Sequence, residues 1–186
     1  MSTDSLRDRV PLASGAVAGA VAYVLGYVFT YALTSGDLRE SPLNRFAELV
    51  GGEDITLQLV GWLFYNGHFV PTLVDAPVFG GSTNFIAETE AFSPLLYAIP
   101  PLLLVGAGLA VARRYLDARG VTDAAFAGAS VAVGYLPLSL LGIVVFEVSL
   151  GSSSGGPDPI LAAVLAGVVY PVVFGTIGAV VAQQTN

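Results

Sequence analysis

Residues Ile55–Val74 read ITLQLVGWLFYNGHFVPTLV, and whether this stretch crosses a bilayer decides the architecture of the whole chain. It is largely apolar and has the length of a transmembrane helix, which needs about 20 residues to cross about 30 Å of hydrocarbon. Its interior argues otherwise. Asp54 can cap a helix at its start, but Asn66–Gly67 is a turn signal, His68 follows it, and Pro71 breaks what remains. The uninterrupted helical part, from Ile55 to Tyr65, has the length of a core, re-entrant or interfacial helix.

Working outward, four segments on either side read as spans: Leu12–Thr34, Pro94–Leu116, Thr122–Leu150 and Pro159–Gln183. Arg7 and Arg9 before the first could mimic a signal peptide, but its apolar run exceeds the roughly 7–15 residues of a signal core, so it is expected to be an uncleaved anchor. Of the 186 residues 54% are apolar and 11% charged, and the mean hydropathy is +0.75. A soluble domain carries about 25% charged residues. The class is an all-α integral membrane protein of the cell membrane.

Positive-inside counting does not choose between four spans and five. Four spans with the N-terminus inside place Arg7, Arg9, Arg113, Arg114 and Arg119 against Arg39 and Arg45 outside, and five spans exchange Arg7 and Arg9 for Arg39 and Arg45. Local physics favours four, because five would send a tail with two Arg across the membrane and put Asn66 and His68 in hydrocarbon. The expected fold is a four-helix transmembrane bundle with a small external domain between the first two spans. Residues 1–34 form the cytoplasmic tail and first span, 35–93 the external domain, and 94–186 three further spans. The last part has a basic cytoplasmic turn at 113–121 and a Gly/Ser outer loop at 151–158, flexible by composition.

Within the external part, Ser41 is a good N-cap, Pro42 suits the first helical position, and Gly51–Gly52 supplies a stop. Leu43, Phe46, Ala47 and Val50 fall on one face, so this short amphipathic helix should lie on the membrane surface or pack on a neighbour. Short β-prone pieces around Val78–Phe79 and Phe85–Ile86 flank Gly80–Gly81–Ser82 and fit a hairpin or an ordered loop. Pro100–Pro101, Pro137 and Pro171 should kink the second, third and fourth spans.

The charge balance, seven Arg, no Lys and 14 acids for a net −7, excludes a nucleic-acid patch, which needs concentrated basic residues. Acids in place of Lys suggest adaptation to very high salt. Cys is absent, which removes disulfides, thiolate nucleophiles and zinc-thiolate sites. No HExxH, GxSxG, Walker A or GxGxxG pattern occurs, so neither an enzyme nor a cofactor is expected.

Small residues at four-residue spacing are the most abundant pattern, and Gly15, Gly19, Gly26, Gly128, Gly167 and Gly175 are its main members. They let backbones approach closely, within one subunit or between subunits. Packing within the chain is the favoured use of these faces, and, since four helices cannot hide so many from one another, contact with a second copy or with other membrane subunits, besides the lipid bilayer, is the alternative. Glu147 is the one acid clearly inside an expected span, a candidate for proton or cation handling, or a group reaching the outer headgroups from one turn below. Pro137 and Pro171 could line a transport or gating path. His68, the only His, lacks partners at metal-ligand spacing. Trp62, Phe64, Tyr65 and Phe69 are expected as an aromatic belt at the outer interface, with Asn66 and His68 making hydrogen bonds at the turn. Arg113, Arg114 and Arg119 read as anchors on the cytoplasmic side, since a regulatory lipid site needs a denser cluster. A partial echo links Gly134-Tyr-Leu-Pro137 with Val169-Tyr-Pro171. Chance is the favoured explanation, the matched residues across the chain being mostly Ala, Gly and Val.

Gly61–Thr72 (GWLFYNGHFVPT), followed by Leu95–Arg114 (LLYAIPPLLLVGAGLAVARR), resembles small multi-pass membrane proteins of extreme halophiles, loosely described as transporters. The resemblance implies the high-salt reading and brings no active residues. The leading expectation is a non-enzymatic integral-membrane subunit of a homo-oligomer or of a larger membrane complex. The alternative is a small-solute or ion transporter or channel.

Overall fold

The computed structural model describes residues 11–76, 80–115 and 120–185. Four helical stretches are long and apolar enough to cross a membrane: Leu12–Arg39, Pro94–Arg114, Val121–Val145 and Pro159–Gln184, spans 1 to 4. Only 28% to 33% of each apolar window is buried inside the chain. Most of that apolar surface therefore faces outward, which suits lipid rather than water, and the chain has the architecture of a multi-pass membrane protein. Spans 1 and 4 each pack against both spans 2 and 3.

Span 1 is a single helix, α1 (Leu12–Arg39). Thr30 and Thr34 lie buried within it because their hydroxyls donate back to the Gly26 and Thr30 carbonyls at 2.9 and 2.8 Å. The helix α2 (Pro42–Gly51) follows, capped by Ser41, which accepts from the Asn44 N–H, and ended at Gly52 in the left-handed region (φ 72°). Next is α3 (Thr56–Asn66), buried nearly all round. Its 11 residues rise about 16 Å, half a hydrocarbon core. After the Asn66–Val70 turn the chain enters strand β1 (Thr72–Asp75). The segment is thus a short helix followed by a turn and a strand, and among the described residues no fifth helix is long and apolar enough to cross a membrane.

The connection between spans 1 and 2 continues with β2 (Gly81–Thr83) and a single helical turn, α4 (Phe85–Glu88). The expected hairpin is thus differently built. Phe85–Ile86 is helical because Asn84 caps the Ile86 and Ala87 N–H groups, and Val78–Phe79 lies outside the described residues. Span 2 opens with a 3₁₀ turn (Pro94–Ala98) before α5 (Ile99–Tyr115). Pro100 and Pro101 fall in the first turn of α5, where a missing N–H costs little, so they start the helix rather than kink its middle.

Span 3 is α6 (Val121–Ala129) and α7 (Ala132–Val145), joined at Ser130–Val131, with Pro137 inside α7. It stops at Val145. Residues expected to complete the span form β3 (Val148–Leu150), paired with β4 (Ser153–Pro157). The expected flexible Gly/Ser loop is therefore largely strand. The sheet order is β2-β1-β4-β3, antiparallel throughout, with Thr72 opposite both Thr83 and Pro157. The extramembrane layer is accordingly shared by the connections on both sides of the second and third spans, and does not belong to the first connection alone. Span 4 begins with one turn, α8 (Pro159–Leu161), widens to a π-helix over Ala162–Val169 and continues as α9 (Tyr170–Gln184). The wide winding precedes Pro171, whose ring would otherwise press on the carbonyl four residues back.

Candidate functional site: the buried His68 cluster

At the end of α3 the chain turns inside the bundle, and His68 is fully buried there. Its Nδ1 lies 2.8 Å from the Phe64 carbonyl oxygen and its Nε2 lies 2.7 Å from the Tyr135 hydroxyl. A carbonyl only accepts, so Nδ1 carries the proton, Nε2 accepts, and Tyr135 donates. The imidazole is neutral and fully paired. Burial pushes its pKa down to about 4. The Phe64 and Tyr170 rings each stand 4.9 Å from the imidazole, centroid to centroid.

A second chain of hydrogen bonds runs beside it. Tyr65 donates to the Ser139 carbonyl, and Tyr23 lies 3.2 Å from the Tyr65 oxygen. With the Tyr65 proton already committed, Tyr23 is the donor of that pair. The Tyr23 ring packs edge-on to both Phe64 and Tyr135, at 5.0 and 5.1 Å. Spans 1 and 3 are thus tied to α3 through hydroxyls at the centre of the molecule. Ser139 Oγ is buried there without a hydrogen-bond partner among the described residues.

Asn66 holds the turn. Its Nδ2 donates to the Val70 carbonyl and to Thr72 Oγ1, and its Oδ1 accepts from the Phe85 N–H at 2.8 Å. The turn contains Phe69 at φ 58°, a left-handed conformation uncommon for an aromatic residue. Its ring is exposed and stacks on Tyr97 at 4.4 Å. Trp62 donates through Nε1 to the Phe146 carbonyl at 2.7 Å. Of the residues expected as an outer aromatic belt, Trp62, Phe64 and Tyr65 are buried in the core with Asn66 and His68, and Phe69 alone is exposed. Apolar sequence around them reads the same in either place, so the difference is tertiary.

Glu147 lies beyond the end of α7, exposed between Phe146 and β3, and not inside the third span as expected. It borders a recess of about 340 Å³ with Asp75 and Pro157. The six glycines of the four-residue pattern all meet other parts of the same chain. A side chain at Gly15 would overlap Ser130, at Gly19 the Val131 carbonyl, at Gly26 the Phe64 ring and at Gly167 Leu136. Gly128 and Gly175 face each other. α3 and the close helix crossings occupy these faces within the chain. The tyrosines near Pro137 and Pro171, Tyr135 and Tyr170, both border His68.

Tyr23, Tyr135, Tyr170 and Ser139 were not singled out from sequence. The available signal was a tyrosine far from both ends of three spans, together with the Tyr–Leu–Pro and Tyr–Pro echo. Among the described residues no three His, Asp or Glu side chains gather in a way that could hold a metal ion.

The chain belongs to a family of unknown function, DUF7978, whose model matches residues 1–186. No curated protein and no solved structure matches it.

Proposed function

We propose that this member of the family works as a non-enzymatic integral-membrane subunit, acting by contact with copies of itself or as an accessory chain of a larger membrane complex. The observation that carries the reading is the outer face of α2. Phe46, Leu49 and Val50 are 54%, 86% and 58% exposed on a helix that lies outside the four spans, and an apolar face of this kind marks a contact surface. The centre of the bundle supports it too, being filled by paired His and Tyr groups that lock helices together. The test is the mass and composition of the particle extracted in mild detergent. A fixed ratio of chains greater than one, lost in Leu49→Glu, is expected. A monodisperse single chain in both proteins rejects the reading.

A second reading, a small-solute or ion transporter, draws on spans 3 and 4. Both are irregular, at Ser130–Val131 and over Ala162–Val169, and transporters place sites at interrupted helices. Ser139 Oγ, unpartnered between them, is the polar group such a path would use, with Glu147 near its outer mouth. Equal flux in liposomes for wild type, Ser139→Leu and Glu147→Gln removes this reading. The absence of Lys and the net −7 charge support a protein adapted to high salt, whose melting temperature should rise between dilute and molar salt.

A further inference from the structure

Many glycines of the spans are spent on helix crossings, but Gly106 is not: beyond its chain neighbours and its own helix backbone, no heavy atom lies within 4 Å of where its side chain would stand. It forms part of the floor of a groove of about 600 Å³ between spans 1 and 2, bordered by Ser14, Val17 and Val21 on one side and by Gly106, Ala110 and Arg114 on the other. The lining runs from Ala13 to Leu25 on span 1 and from Arg114 back to Leu102 on span 2. Each stretch covers about 18 Å of helix, against about 15 Å for half the hydrocarbon thickness. The groove therefore has the depth of one leaflet, opening among the headgroups at Arg114 and closing near the bilayer centre.

The groove is open along its length, and its apolar floor accommodates a hydrocarbon chain. The walls are apolar along the bilayer depth, and the charged group stands at the headgroup end. Among the described residues the ion pair is Arg39–Asp54, so none of their carboxylates neutralises Arg114, and Arg113 lies beside it in the sequence, also exposed. Two adjacent arginines are too few to recruit a lipid by charge alone; the groove supplies the remaining contact.

We propose that this groove holds one phospholipid of a net-negative headgroup, its acyl chain laid along Val17, Val21, Gly106 and Ala110 and its phosphate on the Arg114 guanidinium. Arg suits that role because its planar fork matches phosphate oxygens. The lipid would complete the bundle on the side where spans 1 and 2 leave space between them.

Native mass spectrometry of the full chain in detergent, titrated with dioleoyl phosphatidylglycerol or dioleoyl phosphatidylcholine, tests the assignment. A single phosphatidylglycerol adduct is expected, with phosphatidylcholine bound more weakly. Arg114→Gln should weaken phosphatidylglycerol about fivefold, the effect of one cation near a headgroup, and leave phosphatidylcholine nearly unchanged. Gly106→Leu, which fills the floor, should remove the adduct of both lipids while the melting temperature stays near wild type. Equal binding of the two lipids, or wild-type phosphatidylglycerol binding by Arg114→Gln, overturns the proposal, and so does an intact adduct in Gly106→Leu. A dimer of the chain that Gly106→Leu dissociates also overturns it, by assigning the groove to a second copy. If Gly106→Leu fails to fold, the lipid preference and Arg114→Gln decide the matter.

Discussion

His68 and Tyr135 are 67 positions apart and meet at 2.7 Å in the centre of the molecule. Removing one of two buried partners costs more than the bond is worth, because the other is left without water or a substitute. Tyr135→Phe strips the Nε2 of His68 of its donor and should lower the unfolding free energy by about 1–3 kcal/mol in detergent melts. Tyr170→Phe, at a residue that meets the imidazole through its ring, should stay within about 0.5 kcal/mol. Similar losses in both variants would mean that the hydrogen bond is not what holds the site. The pH dependence has a definite sign. The folded pKa of His68, about 4, lies below the ordinary value near 6.5, so between those limits the unfolded chain binds the proton and the folded chain does not. Stability should fall as pH drops from 6.5 towards 4 and level off below. His68→Gln should shrink that fall, and an unchanged slope in the variant would assign it to the carboxylates instead.

At the scale of elements, close helix crossings and the shared sheet decide how the spans sit. A side chain at Gly19 would run into the Val131 carbonyl, and one at Gly134 into the backbone of Ala16, so spans 1 and 3 touch backbone to backbone. Gly19→Leu should therefore destabilise the single chain by more than the 1–3 kcal/mol of ordinary overpacking, lowering its melting temperature at any protein concentration. A variant that melts like wild type but changes only its assembly state would move Gly19 to an interface between chains. Much at this scale was legible: the four apolar runs, and the ends of α2 from Ser41, Pro42 and Gly52, because those signals are local. The sheet was not. Ser153–Pro157 has a linker's composition and becomes a strand only because Thr72–Asp75, some 80 residues earlier, lies beside it. Glu147 was misplaced for a related reason, since hydrophobicity continues past Val145 while the helix stops. The His68 cluster was legible only in part: Tyr65, Asn66 and His68 stood out, but their partners Tyr23, Tyr135, Ser139 and Tyr170 come from three other parts of the chain, each looking like ordinary apolar sequence.

In the molecule as a whole, four helices are long and apolar enough to cross the bilayer, and α3 lies among them at half that length. The outer apolar face of α2 and the groove of spans 1 and 2 both take their meaning from that arrangement. The chain contains no Cys, so single cysteines report sidedness directly. The most direct measurement is labelling of Glu40→Cys, Ser82→Cys, Ser152→Cys and Thr122→Cys by an impermeant maleimide in sealed vesicles, all at exposed positions. Positions 40, 82 and 152 should react together from one side and position 122 from the other. Positions 40 and 82 reacting from opposite sides would mean that Ile55–Val74 crosses the membrane, and would contradict this arrangement.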